Sequence, residues 1–252
     1  QASGKRRSEN KMSDFTTVNR TAFEQNGVAQ YLDERTEPLF EQLCRIMQQK
    51  NEEMNITAIT DDDGIARKHF CDCMFLCSAL GEGARMADIG CGGGFPCLPV
   101  AIVKDALDIT AIDSTAKKVN YVCDTANTLG LTNVHGVAMR AEDGAHDAKY
   151  REQYDIVTAR AVASLAVLCE LCLPYLKVGG SFYAMKGKGA AEELEAAKGA
   201  VKTLGGRFVC MHEFALYTDG EVQTRYIIEI KKETPTHKSY PRPYAKIKKK
   251  PL

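Results

Sequence analysis

The densest chemistry in the chain lies in DIGCGGGFP, residues 88–96. Four glycines, Gly90, Gly92, Gly93 and Gly94, follow an apolar run that ends in Asp88. Glycines at such a turn let backbone approach a ligand closely and present amide donors. Two ligand classes compete for it. A dinucleotide asks for G-x-G-x-x-G/A. Here the third glycine comes one position early, and Phe95 stands where a small residue belongs. Pro96 supplies no amide to a pyrophosphate at the start of the next helix. A nucleoside without a pyrophosphate, S-adenosyl-L-methionine, tolerates both departures. Its amino-acid end can lie across the turn, with Phe95 packed against it.

Two further stretches fit the nucleoside. Asp113, 23 residues past Gly90 and followed by Ser114, ends the next apolar run, where a carboxylate can accept from both ribose hydroxyls. Ala141 and Glu142 end the third run, where backbone amide and carbonyl can read an adenine edge. The turn, Asp113 and this pair together point to a cofactor site.

These residues need a parallel sheet to hold them, and the pattern predicts one. Strands are read at 85–91, 108–114, 134–140, 154–160 and 181–187, with helices at 96–103, 116–129, 165–176 and 190–204 between and after them. Two last strands, 207–216 and 224–232, follow with no helix between them. Alternation means βαβ units, and a final hairpin means one antiparallel strand. The expectation is a Rossmann-like α/β fold with a seven-stranded, mostly parallel sheet, the methyltransferase variant of the doubly wound fold. The first 80 residues read as helical. Apolar positions 39, 40, 43, 46 and 47 line one helix, and Ile65, His69, Cys73, Leu76 and Leu80 line another. The chain divides into a lead-in (1–11), a helical extension (12–82), the sheet domain (83–233) and a basic tail (234–252).

Composition narrows the class. With 44% apolar and 26% charged residues, the 252-residue chain reads as one globular domain with an extension. No apolar stretch approaches a membrane span and no secretory leader opens the chain, so a cytoplasmic protein is expected. Ten cysteines then read as reduced thiols packed as small hydrophobes. Cys71, Cys73 and Cys77, like Cys169 and Cys172, fall in helical patterns rather than zinc knuckles, and no metal is expected. The formal charge is zero, but residues 231–252 hold eight Lys/Arg against one Glu. The rest of the chain is correspondingly acidic. A basic tail suits a polyanion. Lys117, Lys118, Arg140, Lys186 and Lys188 sit at strand ends on the cofactor rim. With Arg242, Lys246, Lys248, Lys249 and Lys250 they are candidates for an RNA track. Tyr240 and Tyr244 are candidate base-stacking residues. Removing residues 240–252 is expected to weaken RNA binding alone.

The chain resembles the ribosomal RNA small subunit methyltransferase G family, also called glucose-inhibited division protein B. The resemblance rests on NITAI (55–59) with Arg67-x-His69-Phe70-x-Asp72, DIGCGGGFPCLPVAI, IDSTAKKVNYV, RAEDG (140–144), VTARAVASL, MKGKG and YPRPYAKIKKKPL. It implies methyl transfer from S-adenosylmethionine to guanine N7 in a decoding-region loop of 16S RNA. The substrate would be that RNA or a small-subunit precursor, and the enzyme a monomer. It further implies that Gly90, Phe95, Asp113, Ala141, Glu142 and Arg160 touch the cofactor. Cys91 departs from the usual Ser or Thr, Cys97 from a Gly, and the tail lacks its central glycine. The other reading is a methyltransferase of the same fold acting on a small molecule or protein; the basic tail argues against it.

Overall fold

Seven stretches with apolar side chains on both faces form the central sheet. A computed structural model describes residues 15–81, 83–160, 163–218 and 220–252. The strands are β1 (Arg85–Ile89), β2 (Asp108–Asp113), β3 (Val134–Ala138), β4 (Tyr154–Arg160), β5 (Leu176–Lys186), β6 (Gly206–Thr218) and β7 (Glu221–Lys232). Their order is β3-β2-β1-β4-β5-β7-β6. The first five pair in parallel, and β7 runs antiparallel between β5 and β6. The chain therefore reverses its direction of travel across the sheet between β1 and β4, which pair at Met86–Ile156 and Asp88–Thr158. Open α/β sheets bind ligands outside the carboxyl ends of the strands at such a point.

Alternation along each strand feeds two cores. Met86, Ile109, Ile156, Tyr183 and Ile227 enter one, while Ala87, Ile112, Val157, Phe182 and Ile228 enter the other. Helices α5 (Cys97–Val103) and α6 (Ala116–Thr128) cover the first face. So do α1 (residues 15–25), α2 (Thr36–Met54), α3 (Asp62–Ile65) and α4 (Asp72–Ala79). Phe15, Phe23, Phe40 and Phe70 are fully buried in this core, so the N-terminal helices pack onto the sheet layer. Asp61 caps α3 by accepting from the Gly64 amide at 2.7 Å, and a π-helical segment, Ala66–Cys71, joins α3 to α4. The second face carries α7 (Ala141–Gly144), α8 (Leu165–Cys172) and α9 (Ala190–Thr203).

Three readings need adjustment. The helix expected over 165–176 ends at Cys172, followed by a 3-10 turn at Leu173–Tyr175, because Pro174 cannot continue the amide ladder. The fifth strand accordingly begins at Leu176, five residues before its expected start. The segment expected to trail as a tail folds back onto α8, ending in α10 (Tyr244–Lys249) with Ile247 fully buried. Residues 1–11, read as a lead-in, lie outside the described residues. No described helix is long and apolar enough to cross a membrane.

Candidate cofactor and acceptor site

The glycine turn leaves the carboxyl end of β1 with Gly90, Gly92 and Gly94 all at positive φ, +76°, +53° and +87°. Most of its amides are already occupied. Gly90 and Cys91 both donate to the Ile112 carbonyl (2.8 and 3.0 Å), Gly92 to Asp113 Oδ2 (3.1 Å) and Gly94 to the Cys91 carbonyl (2.8 Å). The turn thus keeps fewer free amide donors than its glycine content suggests, because most are bonded within the protein. Asp88 ahead of it is fully buried and accepts from the Cys97 amide at 3.2 Å. Burial pushes its carboxyl up to about 7.

A cleft of about 340 Å³ opens beside the turn, lined in part by Gly90, Asp113, Ser114, Ala141 and Glu142. Five residues singled out from the sequence therefore meet there. Asp113 is oriented by the Gly92 amide and, through Oδ1, by the Thr115 amide (2.8 Å). The Ala141 carbonyl cannot read an adenine edge as expected, because it accepts from the buried Tyr175 hydroxyl (2.7 Å) and the Ala145 amide.

Across the β1/β4 junction lies a second hollow, of about 600 Å³, walled by Lys68, His69, Asp72, Arg160, Lys186 and Arg225 among others. Arg160 ends β4, and its guanidinium is held from three sides. Nη1 donates to Asp72 Oδ2 (3.3 Å), Nη2 to His69 Nδ1 (3.2 Å), and Cζ lies 5.1 Å from the Phe95 ring centre. Arginine cannot accept, so His69 Nδ1 is the acceptor and Nε2 carries the hydrogen, donated to Thr57 Oγ1 at 2.9 Å. Burial, with Arg160 beside it, pushes His69 down to about 3. Asp72 also pairs with Arg225 (3.4 Å), though its burial raises its carboxyl. Thr57 is fixed in turn: the Asn51 side chain clamps its amide (2.8 Å) and carbonyl (2.9 Å). The NITAI loop is thereby the support of the histidine.

A family model for rRNA small subunit methyltransferase G matches residues 36–218. The chain belongs to that family. The ribosomal RNA small subunit methyltransferase G of Clostridium perfringens (strain 13 / Type A) is 40% identical over 82% of this chain and 87% of its own. That of Halalkalibacterium halodurans is 44% identical over 84% and 90%. Among solved structures, a SAM-dependent O-methyltransferase from Thermotoga maritima superposes with a TM-score of 0.50 at 16% identity, covering 76% of this chain and 72% of that one. That likeness establishes the shared fold.

In this member of the methyltransferase G family, several expected contacts are taken up inside the protein. Phe95 lies outside both sets of lining residues; its ring stacks on His69 at 4.5 Å and 15°, beneath Arg160. Lys186, at the wall of the second hollow, is nearly buried and donates to Glu193 (2.8 Å) and the Ala163 carbonyl (2.6 Å), so its charge already has a partner within the protein. Arg242 grips the buried Glu170 of α8 through backbone and side chain, at 2.7–2.8 Å. It is an anchor of the folded-back segment. Arg140 pairs with Glu142 (2.6 Å) and lies over Tyr244. Lys117 reaches the Glu53 carbonyl at 3.4 Å, and Lys118 and Lys248 remain exposed. Away from the cleft, Cys210, His212 and Glu229 bring ligand atoms within 4.8 Å. The thiol directly contacts the imidazole (3.1 Å) and the carboxylate (3.7 Å), so these groups satisfy one another.

The sequence reading did not single out Thr57, Asn51, Arg225, Glu170 or Tyr244 for these roles. Thr57 and Asn51 flank or lie within the NITAI motif, and Tyr244 carried a signal only as a stacking residue for RNA; Arg225 and Glu170 become visible only when distant segments meet.

Proposed function

We infer that the chain methylates N7 of a guanine in a decoding-region loop of 16S rRNA, with S-adenosyl-L-methionine as donor. The observation that carries this reading is a pair of hollows at the carboxyl ends of the parallel strands, one bordered by the ends of β1, β2 and β3 and the other by those of β4 and β5. One gathers Asp113, Ser114, Ala141 and Glu142 beside the glycine turn, and the other sets Lys68, Arg160, Lys186 and Arg225, with Asp72 and Glu193, around a neutral histidine. The fit of the cofactor follows from the donor set. A turn with most of its amides bonded within the protein suits an ammonium group better than a pyrophosphate. Asp113 would hold the ribose hydroxyls, and Ser114, Ala141 and Glu142 would border the base. Gly90 and Gly92 would let backbone approach the amino-acid end. S-adenosyl-L-methionine supplies an electrophilic methyl group.

Guanine N7 presents an in-plane lone pair and no proton, so its attack requires no general base. The second hollow agrees: both nitrogens of His69 are engaged, and the residue serves as a fixed wall. Rate then comes from positioning and exclusion of water, where oriented reactants can gain about 7–11 kcal/mol. Lys68, Arg160 and Arg225 favour an incoming phosphate backbone. The same reading makes the chain a cytoplasmic monomer acting on 16S rRNA or a small-subunit precursor. Transfer of tritiated methyl to deproteinised 16S RNA and to assembled small subunits tests it. Label at one guanine N7 is expected. No incorporation into either, from a chain that binds the cofactor, overturns it.

A further inference from the structure

The cleft that holds Asp113 and Glu142 has one wall from a distant part of the chain. Tyr244, the first residue of α10, lines it together with Leu171. The ring is half-buried, and the Arg140 guanidinium sits 5.5 Å from its centre, itself tied to Glu142 at 2.6 Å. The segment that delivers Tyr244 is pinned on both sides. Arg242, two residues earlier, makes three bonds to Glu170, and its Nη2 also reaches the Lys250 carbonyl at 3.1 Å. Arg151 donates to the Tyr240 carbonyl (2.9 Å), and His146 contacts the Pro241 carbonyl (2.8 Å). Ile247, one helical turn on, is fully buried. A ring held this firmly at the mouth of a polar cleft is placed to meet a flat ligand.

We propose that Tyr244 forms the base-side wall of the cofactor cleft and packs its ring against the purine of the bound nucleoside. This rests on the cofactor reading above. A purine seated beside Ser114 and Ala141 would turn a flat apolar face toward Tyr244, and such faces gain from aromatic cover. Arg140 on the ring and the exposed Lys246, Lys248, Lys249 and Lys250 further along make the same segment cationic toward solvent. One short segment thus serves the cofactor with an aromatic face and the nucleic acid with a basic one. Its removal would weaken cofactor binding as well as RNA binding, contrary to the expectation from sequence.

The full chain contains no tryptophan, which makes a direct test available. In Tyr244→Trp, the single indole is expected to lose emission as S-adenosylhomocysteine is added, saturating at the affinity measured by calorimetry. Unchanged emission at saturation overturns the proposal. In calorimetry, Tyr244→Ala is expected to weaken S-adenosylhomocysteine about tenfold, as loss of a base-stacking ring does, while Tyr244→Phe keeps wild-type affinity. If Asp113→Ala loses binding and Tyr244→Ala keeps it, the wall assignment falls and the cofactor reading stands. If the wild-type chain has no affinity for S-adenosylhomocysteine, both fall.

Discussion

His69 and Arg160 define each other. The arginine needs an acceptor at Nδ1, so the imidazole must stay neutral, and burial enforces it. The consequence for stability has a definite sign. His69 has a folded value of about 3 against an ordinary value near 6.5, so its contribution is present above about pH 6.5 and is lost as pH falls toward 3. The slope from one such group is at most about 1.4 kcal/mol per pH unit. His69→Asn keeps an acceptor without the titration, so its urea midpoint is expected to fall less than the wild-type midpoint between pH 7 and 5. Parallel curves would refute the assignment. Asp113 is argued from the same kind of geometry: two backbone amides orient it toward the cleft. Asp113→Ala should weaken S-adenosylhomocysteine by about 1–3 kcal/mol in calorimetry if the ribose bond is made.

Two short segments gain their form from what they pack against. The glycine turn is tight because Leu98 and Val122 stand behind it. A Cβ at Gly94 would lie 2.4 Å from Leu98 Cδ1, on a backbone at φ +87°. Gly94→Ala is therefore expected to cost about 1–3 kcal/mol from backbone conformation alone, plus the steric clash, read as a lowered denaturation midpoint. The C-terminal segment is held by ionic and apolar contacts together. Arg242→Ala keeps the backbone bond to Glu170 but leaves the buried carboxylate without its counter-charge, and stability should fall by about 3–5 kcal/mol in urea titration. An arginine whose only task was RNA contact would leave that midpoint where it was.

For the molecule as a whole, an acidic body carries a basic edge, and binding of nucleic acid should follow the salt law of counterion release. Changing Lys246, Lys248, Lys249 and Lys250 to Gln is expected to lower affinity for a 16S fragment and to flatten its log–log salt slope by about 0.7–0.9 per lost phosphate contact. Filter binding at several salt concentrations reads both. An unchanged slope would place the RNA elsewhere. The strand–helix alternation, the glycine turn and Asp113 were legible in the sequence because period, turn chemistry and spacing along the chain are local properties. Motif content likewise gave the family. Tertiary structure alone decided that Thr57, His69, Phe95 and Arg160 form one cluster, since β1 and β4 become neighbours across some 65 intervening residues. It also decided that Lys186 and Arg242 are partnered inside the protein and that Tyr244 borders the cleft that holds Asp113 and Glu142. A charged side chain reads the same in sequence whether it faces water or a buried carboxylate, and only the path of the folded chain brings that carboxylate to it.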